Sequence, residues 1–82
     1  MSGTPVPTPQ EAFGRVLRQL RQEAGMSQEQ LGLDSGVQRN FISLIETGQN
    51  QPTVTTVFRL AKALNIKASA LIARVEDQTH PS

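Results

Sequence analysis

Arg39, Asn40, Ser43, Leu44 and Thr47 bring a guanidinium, a carboxamide, two hydroxyls and a branched methyl end into one short stretch of chain. Those groups suit the edges of base pairs. A guanidinium or amide makes paired hydrogen bonds to a purine, a hydroxyl serves either kind of base, and a methyl group packs on thymine. A helix that faces only water carries Lys and Glu at i and i+4 instead, and this stretch does not. At 100° per residue, Ile42 and Ile45 share one side of a helix, while Asn40, Ser43, Leu44 and Thr47 occupy the other. The plain alternative is the polar surface of an ordinary small bundle.

Two short helices must position these residues. Ser27 with Gln30 has the S-x-x-Q spacing of a capping box and starts the first, with Leu31 facing inward. Gly32 interrupts it. A residue without a side chain costs a short helix roughly 1 kcal/mol relative to alanine, so another backbone is expected to pass close by there, that of the next helix. Ser35 and Gly36 stop the first helix, Val37 turns inward, and Ile42 and Ile45 bury one face of the second. The unit is a helix-turn-helix.

The rest of the chain also reads as helices. Thr8, Pro9 and Glu11 form an N-cap, a first-position proline and a capping-box acid. Phe13, Val16, Leu17, Leu20 and Ala24 follow at helical spacing, so a helix runs from about Pro9 to Ala24 and ends at Gly25. After a loop at Gly48 to Pro52, Thr53 caps a fourth helix carrying Val54, Val57, Leu60, Ala61 and Leu64, closed by Asn65 in a left-handed cap. A fifth covers about Ala68 to Val75. Residues 1–7 read as a loose, Pro-rich arm and residues 76–82 as a disordered tail, leaving residues 8–75 as one folded domain.

Composition narrows the function classes. Eighty-two residues without cysteine make one domain with neither a disulfide framework nor a thiolate metal site, and with no room for a separate sensor domain. The only histidine, His80, stands in the polar tail, and no Gly-rich loop runs into a Lys, so no catalytic or phosphate-binding set is expected. No apolar run approaches the roughly 20 residues of a membrane span and no leader pattern opens the chain, which implies a cytoplasmic protein with no membrane partner. Eight Lys and Arg against seven Asp and Glu leave a net charge of +1. Binding to nucleic acid would have to rest on a local patch.

From about Phe13 to Ile72 the chain resembles the DNA-binding helix-turn-helix of the phage repressor and Cro group, the Xre-type bacterial regulators. The segments LRQLRQEAGMSQEQL, SGV and FISLIETGQNQPTVTTVFRLAKALNI carry that resemblance together. It implies an all-α, compact five-helix bundle of the lambda-repressor-like type, with helices two and three as the helix-turn-helix. It further implies a homodimeric regulator, repressor or autoregulator, that lays a recognition helix of about Gln38 to Thr47 into the major groove of a palindromic operator in double-stranded DNA. No enzyme activity, cofactor, metal or small-molecule ligand is expected.

By the same resemblance Gln38, Arg39, Asn40, Ser43 and Leu44 contact bases, although Leu44 departs from the polar residue common at its position. Ser27, Gln28, Phe41, Thr47, Gln49, Asn50 and Thr53 contact phosphates, with Phe41 alternatively packing at the core edge. Arg21 and Glu46 match a buried ion pair that ties helix one to the end of helix three. Self-association is placed on Ile72 and Val75, with Leu71 turned inward. The rival function is an antitoxin or adaptor module that uses the same fold for protein contact.

Overall fold

The computed structural model describes residues 5–80, and the described chain is made of five helices: α1 Pro9–Glu23, α2 Gln28–Ser35, α3 Arg39–Glu46, α4 Val54–Ala63 and α5 Ala68–Thr79. Their starts follow from local chemistry. Thr8 accepts from the Glu11 amide at 3.2 Å and Glu11 accepts from the Thr8 amide at 3.0 Å, so the first capping box is complete. The Thr8 amide, and next its hydroxyl at 3.3 Å, donate to the Glu11 carboxylate and hold it below its ordinary pKa. Ser27 and Thr53 cap α2 and α4 by accepting from Gln30 and Thr56. The Ser27 box is only half made. The Gln30 side chain does not reach back to accept from the Ser27 amide; its Nε2 instead donates to the Asp34 carboxylate one turn on, at 2.8 Å.

The long α1 is the spine. It packs on α3 and α5, while α2 packs on α3 and α4, and α4 on α5. Phe13, Val16 and Leu17 of α1 meet Leu31, Val37, Ile42, Ile45, Leu60, Ala61 and Leu71 in one core. Two close approaches set the helix spacing. A Cβ on Gly14 would lie 2.2 Å from the Ile45 carbonyl oxygen, and one on Gly32 2.8 Å from that of Val37. The expected close passage at Gly32 is therefore present, against the turn into α3.

Several expectations change. α5 continues to Thr79, so residues 76–79 are helical rather than a disordered tail. Val75 joins the core at 6% exposure, and Thr79 closes the last turn by donating to the Glu76 carbonyl at 2.8 Å. Val54 is 73% exposed although its spacing matches the inward stripe of α4. Helical side chains lean toward the N-terminus, which carries a first-turn residue past the edge of the bundle. Ala24 likewise sits exposed at the end of α1. Residues 5–8 form no helix or strand, and the remainder of the expected arm and tail, residues 1–4 and 81–82, lies outside the described residues.

Candidate nucleic-acid interface

The base of the interface is a buried ion pair. Arg21 donates from Nε to Glu46 Oε2 at 2.7 Å and from Nη2 to Glu46 Oε1 at 3.0 Å, a two-pronged match of guanidinium to carboxylate. Its Nη1 donates to the Met26 carbonyl at 2.8 Å in the α1–α2 loop. The Glu46 side chain is 3% exposed. The carboxylate's hydrogen bond outweighs the opposing effect of burial and holds Arg21 above its ordinary pKa, so the guanidinium stays charged. One residue of α1 thus fixes the end of α3 and the entry to α2.

On the outer side of α3, Gln38 and Thr47 flank the helix as its N-cap and C-cap, inside the expected Gln38 to Thr47 span. Gln38, Arg39 and Asn40 are exposed and Ser43 and Leu44 half-buried. Among the described residues, no side-chain hydrogen bond engages Gln38, Arg39, Asn40 or Ser43, and no ion pair engages Arg39. Their donors and acceptors are open to an outside partner. Arg39, Asn40, Ser43, Leu44 and Gln28 line one shallow depression.

The residues expected at phosphates divide. Ser27 keeps its hydroxyl proton free while capping α2, and Thr53 does the same work for α4 beside Thr56. Thr47 donates to the Ser43 carbonyl at 3.0 Å and accepts from Gln49 at 2.8 Å, while the Gln49 and Asn50 amides both close on the Leu44 carbonyl. Any outside contact by Gln49 or Asn50 must therefore come from the side chains. The loop is also held from behind, where Gln10 of α1 donates to the Gly48 carbonyl at 2.8 Å. Phe41 does not fit a phosphate role. Its amide donates to Gln38, its ring has no polar atom, and it packs on the core edge. Gln28 is not a free surface amide either, because its Nε2 donates to Glu46 Oε1 at 3.1 Å.

The expected self-association pair also divides. Ile72 is 45% exposed, whereas Val75 is buried and lies, with Phe13, in the floor of an apolar groove edged by Val54 and Ile72. Phe58, 62% exposed on α4, was not singled out by the sequence: it stands one turn after Val54, whose spacing matched the inward stripe, so periodicity alone gives no sign of its exposure. Among the described residues no group of His, Cys, Asp and Glu could hold a metal ion, and no helix is long and apolar enough to cross a membrane. His80 lies 3.8 Å from Glu76 on the surface.

Two short helices at a glycine turn, with an unengaged polar face on the second, define a helix-turn-helix DNA-binding module. The model of the helix-turn-helix family HTH_3 matches residues 17–71, and the chain belongs to that family, the Xre and Cro/C1-type transcriptional regulators. It is 33% identical over 64 residues to the uncharacterized HTH-type transcriptional regulator y4dJ of Sinorhizobium fredii, covering 78% of this chain and 83% of that one. Control protein C.SmaI of Serratia marcescens is 36% identical over 64 residues, covering 78% and 76%. The crystal structure of the restriction-modification controller protein C.AhdI from Aeromonas hydrophila superposes with a TM-score of 0.72 at 38% identity, covering 74% and 92%. The match extends to longer regulators, of one of which it spans 36%. The family is one of DNA-binding regulators and not of enzymes.

Proposed function

We propose that the chain acts in the cytoplasm as a homodimeric, sequence-specific regulator, a repressor or autoregulator, that binds an inverted repeat in double-stranded DNA. The observation that carries this reading is the exposed face of α3, whose Gln38, Arg39, Asn40 and Ser43 have no side-chain hydrogen-bonding partner within the described fold. In the major groove Arg39 pairs with a guanine and Asn40 with an adenine, each contact discriminating by about 1 to 3 kcal/mol. Leu44 touches a thymine methyl. Ser27, Gln28, Thr47, Gln49, Asn50 and Thr53 hold phosphates on either side, helped by the N-termini of α2 and α4.

Two recognition helices about 34 Å apart would read two half-sites one turn apart. The exposed Val54 and Phe58 of α4 and Ile72 of α5 supply the self-association surface, in place of Ile72 with Val75. The similarity to proteins named as control proteins of restriction-modification makes the chain's own promoter region the first natural site to test.

Selection of bound duplexes from a random pool at about 0.15 M salt tests the reading. An enriched inverted repeat is expected. Loss of Arg39 should then relax preference at one base, while loss of a phosphate contact weakens all sequences alike. Absence of enrichment would transfer the role to a protein partner, as in an antitoxin or adaptor, whose binding falls far less with ionic strength. A metabolite that saturably shifts DNA affinity would overturn the absence of a small-molecule ligand.

A further inference from the structure

We propose that Glu46 is a positioning residue for DNA contact: through its hydrogen bond to Gln28 it presets the amide that α2 offers to the DNA backbone. The proposal rests on reading α3 as the DNA-facing helix. With its side chain 3% exposed, Glu46 cannot reach DNA itself. Its Oε1 instead takes Gln28 Nε2 at 3.1 Å and Arg21 Nη2 at 3.0 Å together, while Oε2 takes Arg21 Nε at 2.7 Å. Arg21 is also bound to Met26, so α1, the α1–α2 loop, the first residue of α2 and the last of α3 meet at one carboxylate.

An unrestrained glutamine at a helix N-terminus would sample several rotamers, and DNA binding would have to order it. Here the free protein has already done so. A carboxamide nitrogen carries two hydrogens, so the bond to Glu46 leaves one for an outside acceptor. Gln28 also lines the depression it shares with Arg39, Asn40, Ser43 and Leu44, which puts that remaining donor beside the reading face. Arg21 balances the Glu46 charge, which would otherwise stand against the phosphates.

The test is a double-mutant cycle on affinity for the selected duplex, with Gln28→Ala, Glu46→Gln and the double variant, at a temperature where circular dichroism shows all four proteins folded. Glutamine keeps the volume at position 46 but offers one acceptor oxygen to three donors. The loss caused by Gln28→Ala should shrink about threefold or more in the Glu46→Gln background. A purely structural Glu46 leaves that loss the same in both backgrounds and overturns the proposal. Should Glu46→Gln fail to fold, side-chain relaxation of the Gln28 amide in the unaltered, DNA-free protein decides instead. An amide as ordered as the backbone supports the link, and a freely averaging one overturns it. A wild-type chain that binds no duplex overturns both this and the reading it rests on, whereas equal losses on a bound duplex overturn this alone.

Discussion

Glu46 is a carboxylate taken almost wholly out of water, and a buried charge is tolerable only when paired and hydrogen-bonded. Arg21 meets that need with two of its nitrogens and uses a third to bind the Met26 carbonyl. Arg21→Ala would strand the carboxylate, at a cost of about 3 to 5 kcal/mol. Arg18, three residues earlier and exposed, should cost no more than about 0.5 kcal/mol when replaced by alanine. Thermal unfolding of the two variants checks this, and equal melting temperatures would refute it. The pair itself was readable only through family resemblance, since 25 residues separate its members and no periodicity joins them. The third member, Gln28, was not readable at all. An amide at the start of a helix looks the same whether it faces solvent or a buried acid.

Helix by helix, apolar spacing and caps together placed all five elements: Thr8, Ser27 and Thr53 cap α1, α2 and α4, while α3, whose N-cap Gln38 makes no side-chain cap hydrogen bond, was legible from Ile42 and Ile45, and α5 from its apolar residues. What they missed lay at the edges. Val54 and Val75 both match a stripe, yet the bundle ends before the first and continues past the second, which depends on how far neighbouring helices reach. Gly14 was also passed over, since a lone glycine in a strong amphipathic helix gives no sign of what lies against it. Its neighbour is backbone, the carbonyl of Ile45, which cannot swing aside as a side chain would. Gly14→Ala should therefore destabilise by about 1 to 3 kcal/mol, despite alanine being the better helix former by roughly 1 kcal/mol in an open position. Urea titration reads the sign directly, and a gain in stability would show that α1 and α3 have slack between them.

Taken whole, a molecule with net charge +1 has little long-range attraction for DNA, so the proposed function leans on pairing two reading faces. Phe58→Glu and Ile72→Glu should each weaken self-association while leaving the fold intact, since both side chains are exposed and neither belongs to the core. Sedimentation over a concentration series checks this. Unchanged masses in both variants would move the contact elsewhere.

The anchors of α3 are backbone approaches at its start and inner side and side-chain bonds at its C-terminal end: Gly32 against Val37, Gly14 against Ile45, Arg21 on Glu46, Gln10 on Gly48. None passes through the side chains of Gln38, Arg39, Asn40 or Ser43. The frame and the message are thus written in different residues, and the message can be rewritten without disturbing the frame. Exchange of those four outward residues for another set amounts to a change of address on an unchanged carrier, which makes this small bundle a natural scaffold for new sequence preferences.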